Sequence, residues 1–192
     1  YDAVTGPTNK NRHAVDECLD AARFLGAPVE PVEFPVDFPA YPIELPRPRI
    51  GLLPCSRRAE KNWPASRFAE LARALLAQVG GSALVLGGRA DQPVCEALTA
   101  AIGDRAHNWC GRTSLLELGG LIRALDLLVT VDSGPMHIAA AVGTPTVAVF
   151  GPTDPVRTGP YGARHRVVRE GHDMSILPVS PVLAAAVDEI GR

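Results

Sequence analysis

The stretch Leu127–Gly151, LLVTVDSGPMHIAAAVGTPTVAVFG, constrains the fold more than any other part of this chain. Two apolar, β-branched runs, Leu127–Val131 and Thr146–Phe150, flank an Ala-rich segment. That segment is entered through Asp132-Ser133-Gly134-Pro135 and left through Gly143-Thr144-Pro145. The pattern is strand, tight polar turn, helix, strand: one βαβ unit. Its polar residues collect at the carboxyl end of the first strand, where open α/β sheets bind ligands. They also sit at a helix start, whose unpaired N–H groups and positive dipole end suit a phosphate.

The rest of the chain repeats the alternation. Arg49–Pro54 reads as a strand, Cys55–Asn62 as a polar loop, and Ala65–Val79 as a helix opened by Trp63-Pro64, with Phe68, Leu71, Ala72, Leu75 and Leu76 on one face. Ser82–Leu86 is a second strand ending in Gly87-Gly88, Asp91–Ala101 a second helix, and Ala106–Trp109 a short third strand. Ser114 followed by Glu117 has the pattern of a capping box and predicts a helix over Leu115–Ala124. After the central unit, Gly151–Gly162 reads as a long loop of turn residues that is either a mobile binding loop or a rigid connection. Arg166–Arg169 is a candidate sixth strand, and Pro181–Ile190 a last amphipathic helix. Strands alternating with helices predict an α/β fold with a doubly wound parallel sheet, helices lying on both faces.

The first 48 residues do not look like the start of such a domain. Asn9–Leu25 is helix-like and ends at Gly26; Ala27–Pro48 then carries seven prolines and reads as an extended connector. The expected boundary falls near Arg47, giving residues 1–48 as helix and connector and 49–192 as the α/β domain. Because the sequence begins with Tyr1, it reads as a piece of a longer chain.

Composition narrows the function. With 46% hydrophobic residues the chain can bury a sizeable core. A net charge of −2, no basic block and 5% aromatics give no case for nucleic acid binding. No apolar run approaches the roughly 18 residues of a membrane span, and no signal peptide is visible. Cys18, Cys55, Cys95 and Cys110 form no CxxC pair and show no zinc-like spacing with the five histidines, so no metal site is expected and reduced thiols are. Only two of the 19 basic residues are lysines, which makes the setting of Lys61 of interest.

Four loops fall on the carboxyl edge of the predicted sheet. In Asp132–His137, Ser133 or Gly134 is placed to cap the helix, Pro135 suits its first turn, and Gly134 lets a ligand approach the backbone. Asp132 can accept from sugar hydroxyls and His137 can donate to a phosphate or sugar oxygen; a plain N-cap with a local Asp and a surface His accounts for the spacing equally well. In Pro54–Pro64, Ser56 can cap or bind an anion and Lys61 is a point charge able to reach a phosphate, unless the loop is simply solvated. Gly87-Gly88-Arg89-Ala90-Asp91 permits a close turn with Asp91 on a ribose diol, or with Asp91 as an N-cap; it is neither a GxGxxG fingerprint nor a P-loop. In the last loop Thr153, Asp154, Arg157 and Thr158 are the polar candidates. Ser133, His137 and Asp132, neighbours on one turn, cannot converge as a hydrolytic triad.

Six short stretches in order carry a family resemblance: Lys61-Asn62-Trp63-Pro64; LVLGG, Leu84 to Gly88; GRTSL, Gly111 to Leu115; DSGPMHIAAA, Asp132 to Ala141; Gly143-Thr144-Pro145; and FGPTDP from Phe150 with GPYG, Gly159 to Gly162. Together they resemble the carboxy-terminal half of glycosyltransferase family 9, the ADP-heptose:lipopolysaccharide heptosyltransferases, over about Arg49 to Arg169. The Asn9–Gly26 helix resembles the end of that family's first domain.

The resemblance implies the Rossmann-like second domain of a GT-B enzyme that binds ADP-heptose without a metal or other cofactor. It implies inverting transfer to an inner-core sugar of a lipid A-linked oligosaccharide held by an acceptor domain that these residues do not contain. It also implies a cytoplasmic protein with peripheral contact at the inner face of the inner membrane. Carried onto this chain, Lys61 would neutralise the departing diphosphate and Ser133, Gly134, Pro135 and Met136 would cradle it through backbone N–H groups. Asp132 and His137 would hold the donor sugar, Ser56 would add a phosphate contact, and Asp91, with Gly87 and Gly88, would hold the ribose. The chain departs from the family at Pro54-Cys55-Ser56, where Pro-Gly-Ala-Ser/Thr is usual. Two other functions remain open: a GT-B enzyme using another nucleotide sugar, such as a UDP-sugar transferase or epimerase, and a non-catalytic nucleotide-sugar-binding module.

Overall fold

A computed structural model describes residues 11–162 and 164–191. Six strands form one parallel sheet: β1 (Arg49–Leu53), β2 (Ser82–Val85), β3 (Ala106–Asn108), β4 (Leu127–Val131), β5 (Thr146–Phe150) and β6 (His165–Arg169). Their order is β3-β2-β1-β4-β5-β6. Every neighbouring pair is parallel. The chain therefore winds outward from β1 to one edge, returns to β4 beside β1, and winds to the other edge. That reversal creates the crevice in which sheets of this order take ligands.

The helices follow from the apolar periodicity. On one face α2 (Ala65–Val79), α3 (Gln92–Ile102) and α7 (Val179–Ile190) cover the sheet with Phe68, Leu71, Leu75, Leu98, Val182 and Ala186. On the other, α4 (Leu115–Arg123) and α5 (Gly134–Val142) bring Leu121, Ile122 and Ala139 against Leu53, Leu84 and Leu128. Covered on both faces, β4 and β5 bury every residue, which is why their sequences are unbroken apolar runs rather than alternating ones. The Ser114–Glu117 capping box opens α4 as predicted. Gly143, in the left-handed conformation at φ 75°, closes α5.

The expected elements shift at a few ends. The first helix, α1, runs Ala14–Phe24 rather than from Asn9: His13 is its N-cap, its ring accepting from the Val15 amide, while Asn9 and Lys10 lie outside the described residues. The last helix begins at Val179, because Pro181 falls in its first turn, where a missing N–H leaves no bond unmade. The Gly151–Gly162 loop is partly helical, with α6 at Pro155–Thr158. The candidate sixth strand exists and pairs with β5 along its whole length.

The proline-rich connector has no regular structure but lies packed along the α4 face. Phe38 and Ile43 are buried, Tyr41 meets Trp109 edge-on, and Arg123 donates to the Phe38 carbonyl at 2.6 Å. Gly119 and Gly120 make this possible: a Cβ on Gly119 would stand 2.2 Å from the Phe38 ring, and one on Gly120 2.0 Å from the Pro39 oxygen.

Candidate functional site

β1 and β4 are neighbours at the point where the strand order reverses, and each releases a polar loop there. The loop after β1 is closed by its own side chains. The Asn62 side-chain oxygen accepts from the Ser56 amide at 2.7 Å, and Ser56 Oγ donates to the Arg58 carbonyl at 2.8 Å while accepting from the Arg58 amide at 3.2 Å. A 3-10 turn, Ala59–Lys61, follows. Trp63 then pins the loop to the domain. It is 1% exposed, its indole N–H donates to the Leu177 carbonyl at 3.0 Å, and its ring stands edge-on to Phe68.

Held this way, Lys61 reaches across to β4. Its Nζ lies 2.7 Å from Asp132 Oδ2, and the two side chains are only 15% and 8% exposed. Thr153, at the carboxyl end of β5, donates to the same Oδ2 at 2.6 Å. Three loops on one sheet edge thus converge on one carboxylate oxygen, through contacts spanning 71 and 21 residues of sequence.

The start of α5 borders this pair. Ser133 is the N-cap residue, but its hydroxyl turns back to Thr130 Oγ1 at 3.2 Å instead of capping the helix. Gly134 is exposed, and a Cβ there would meet nothing within 4 Å; the protein's own packing does not call for a glycine at this position. Met136 is fully buried against Ala148 and Phe150, and its amide bonds the Ser133 carbonyl at 3.2 Å. Pro135 has no N–H to give. Of the predicted backbone cradle, Pro135 and Met136 therefore act as the helix opener and its anchor, and Gly134 supplies the open approach. His137 follows one turn into α5. Desolvation holds its imidazole below the ordinary value of 6.5, Asp132 pushes it back up, and the nearby His13 and Lys61 charges lower it further.

Ser56 and Asp91 are placed differently from the expectation of free ligand groups. The Ser56 hydroxyl is taken up within its own loop. Asp91 accepts from the Gly88 amide at 2.8 Å and closes the Gly88–Asp91 turn in the capping pattern. Gly87 sits where a Cβ would meet Asp91, Cys95 and Cys110 at about 3 Å. None of the four thiols forms a disulfide. Burial pushes Cys55 up to about 11, with the Asp91 and Cys110 charges adding, and raises Cys95 and Cys110 as well. Neutral, shielded thiols of this kind pack and do not attack. Among the described residues no group of three or more His, Cys, Asp or Glu could hold a metal ion, and no helix is long and apolar enough to cross a membrane.

Two further residues belong to the neighbourhood. Thr153 is one of the polar candidates of the last loop, but nothing in its spacing shows that it meets Asp132. His13 carries no motif at all; its Nε2 lies 2.9 Å from the Gly159 carbonyl oxygen, and its ring stands edge-on to Tyr161. Arg157–Glu17 and Tyr161–Asp16 contacts complete this seating of α1 on the loop after β5.

The family model described as Glycosyltransferase family 9 (heptosyltransferase) matches residues 10–176. Lipooligosaccharide heptosyltransferase 2 of Haemophilus influenzae is 33% identical over 158 residues, which are 72% of this chain and 45% of that protein. Lipopolysaccharide heptosyltransferase 2 of Escherichia coli is 33% identical over 154 residues, 70% of this chain and 44% of its own. The chain thus spans about half the length of the curated relatives it matches. Among solved structures, the E. coli ADP-heptose LPS heptosyltransferase II superposes with a TM-score of 0.70 at 31% identity, over 75% of this chain and 46% of that one. An E. coli heptosyltransferase solved with ADP has a TM-score of 0.76 at 24% identity, over 94% and 58%, and shares the fold.

Proposed function

The chain belongs to glycosyltransferase family 9, and from that membership we propose that it is the donor-binding half of a GT-B heptosyltransferase that takes ADP-heptose. The names of its relatives and the ADP in a structure of the same fold support this reading. The observation that carries it is the Lys61–Asp132 pair at the strand-order reversal, beside an unobstructed helix start.

In this reading the Asp132 carboxylate holds the Lys61 ammonium in reserve for the diphosphate. A diphosphate entering over Gly134 meets the positive end of α5 and draws Lys61 from Asp132. Asp132 then accepts from donor-sugar hydroxyls, and His137 donates to a sugar or phosphate oxygen. As the acceptor hydroxyl attacks the anomeric carbon, the bond from that carbon to the phosphate oxygen breaks and the electron pair leaves on ADP. Lys61 and the aimed helix N-terminus stabilise that charge in the transition state, the role a metal would otherwise take. The transfer is inverting and metal-independent, and the acceptor is an inner-core sugar of a lipid A-linked oligosaccharide. The acceptor domain and its general base lie outside these residues, so the 192-residue chain binds donor without transferring heptose. The working location is the cytoplasm, in peripheral contact with the inner membrane.

Calorimetry of the chain with ADP, UDP and GDP, in the presence of a metal chelator, tests the reading. ADP is expected to bind and the other two to bind more weakly or not at all. Preference for UDP, as a UDP-sugar enzyme requires, or binding that vanishes with chelator, overturns it. A binding-only module is separated by supplying the preceding coding sequence: transfer from ADP-heptose by the longer protein supports the enzyme, and its absence with donor bound supports the module.

A further inference from the structure

We propose that Thr153 is the positioning residue that keeps Asp132 aimed at the donor sugar once Lys61 has moved to the diphosphate. The inference rests on the donor-binding reading above and extends it to a residue outside the predicted donor set. Asp132 is 7% exposed and takes both of its side-chain donors, Lys61 Nζ and Thr153 Oγ1, on Oδ2. Among the described residues, Oδ1 takes no hydrogen bond. A carboxylate this buried needs a donor at all times, because an ionised group stripped of partners is costly in a low-dielectric site. If Lys61 serves the phosphate, Thr153 is the donor left to hold Oδ2 and to keep Oδ1 directed outward for a sugar hydroxyl.

The geometry allows this because Thr153 is itself fixed. Gly151 packs so tightly under Met174 that a Cβ would stand 2.6 Å from its sulfur. Asp154 caps α6 by accepting from the Val156 amide at 3.0 Å. Beyond α6, the Gly159 carbonyl is held by His13, and Arg157 pairs with Glu17. The loop is braced on both sides of Thr153, which keeps its backbone beside Asp132 while the lysine, on a four-carbon stem, is able to move.

The test is calorimetry of the wild-type chain, Thr153→Val and Thr153→Ser, each with ADP and with ADP-heptose, alongside thermal melting. Wild type is expected to bind ADP-heptose more tightly than ADP. Thr153→Val, which keeps the shape and removes the donor, should bind ADP within about twofold of wild type and ADP-heptose about tenfold more weakly, the loss of one hydrogen bond to a charged group. Thr153→Ser should restore the wild-type preference. Unchanged ADP-heptose affinity in Thr153→Val, an equal loss for both ligands together with a lower melting temperature, or failure of Thr153→Ser to restore the preference overturns the assignment. If wild type binds neither ligand, the donor-binding reading itself has failed; if wild type discriminates and Thr153→Val discriminates equally, only the role of Thr153 has failed.

Discussion

Lys61 Nζ stands 2.7 Å from Asp132 Oδ2, joining the loop after β1 to the loop after β4 across the reversal in strand order. The pair has two consequences that a double variant separates. Lys61→Met leaves a mostly buried Asp132 with Thr153 alone, so urea unfolding should show a loss of about 1–3 kcal/mol. ADP affinity should fall by roughly tenfold to a hundredfold, since a charge-assisted contact is lost. Adding Asp132→Asn removes the uncompensated charge and should return most of the stability without returning ADP binding. If the double variant regains ADP affinity, Lys61 serves only to neutralise Asp132 and does not touch the diphosphate.

Trp63 is the anchor that lets a flexible lysine be placed. Its indole N–H donates to the Leu177 carbonyl at 3.0 Å in a site where the ring is 1% exposed. Trp63→Phe keeps most of the ring and orphans a buried carbonyl, which should cost about 1–3 kcal/mol in denaturant unfolding. Trp63→Ala should cost about 3–5 kcal/mol. Both should weaken ADP binding, because the 3-10 turn carrying Lys61 directly precedes the anchor. An unchanged ADP affinity in a folded Trp63→Phe variant would show that the loop is set by Asn62 and Ser56 without it.

The fold was legible because its signals are local. The apolar runs of β4 and β5 and the Gly143 stop of α5 fix the central unit residue for residue. The site was only partly legible. Asp132 stands out at the end of β4 and Lys61 as a lone lysine in the loop after β1, but the Thr153 contact spans 21 residues and the His13–Gly159 contact 146, and no spacing encodes either. Ser56 and Asp91 show why spacing leaves two readings open. Short side-chain oxygens at strand ends close their own turns as readily as they bind ligands, and here they bond Arg58 and Gly88. Sequence patterning marks the connector as irregular but does not show that it is seated, because the groove is made by the absence of side chains at Gly119 and Gly120.

That groove yields a prediction against helix propensity. In an open helix, Gly→Ala is worth about 1 kcal/mol of stabilisation. At Gly119 the added Cβ would lie 2.2 Å from the Phe38 ring, with the helix backbone and a buried aromatic both unable to yield easily. Gly119→Ala should therefore destabilise the chain by about 1–3 kcal/mol in urea unfolding, the usual cost of overpacking. Phe38→Ala alone loses a buried ring and is also destabilising. The double variant should be markedly more stable than the sum of the two losses implies, since the clash is gone and the alanine is a better helix former. Additive losses would show that Phe38 does not lie on Gly119.

His165 on β6 supplies a pH dependence with a definite sign. Its Nδ1 is buried without a hydrogen-bond partner among the described residues. Burial lowers its pKa from the ordinary 6.5; the Glu189 charge and a backbone contact at Tyr161 act upward, and Arg164 acts downward with the burial. A base whose pKa is depressed by folding binds more protons unfolded than folded. Stability therefore rises with pH through the interval between the folded value and 6.5, and is lost as pH falls through it. His137 is depressed by burial too and adds in the same direction. The carboxylates that folding depresses lose their contribution only below their ordinary values, 4.5 for Glu60 and Glu117 and 3.8 for Asp20 and Asp173, so the histidine window is separate. Thermal melting of the chain from about pH 8 down to about pH 3, spanning the usual histidine and carboxylate ranges, should show a falling melting temperature below neutrality. His165→Gln, which cannot titrate, should make that fall shallower while leaving the change below pH 4.5 as it was. A fall equally steep in His165→Gln would place the proton uptake elsewhere, with His137 the next residue to replace.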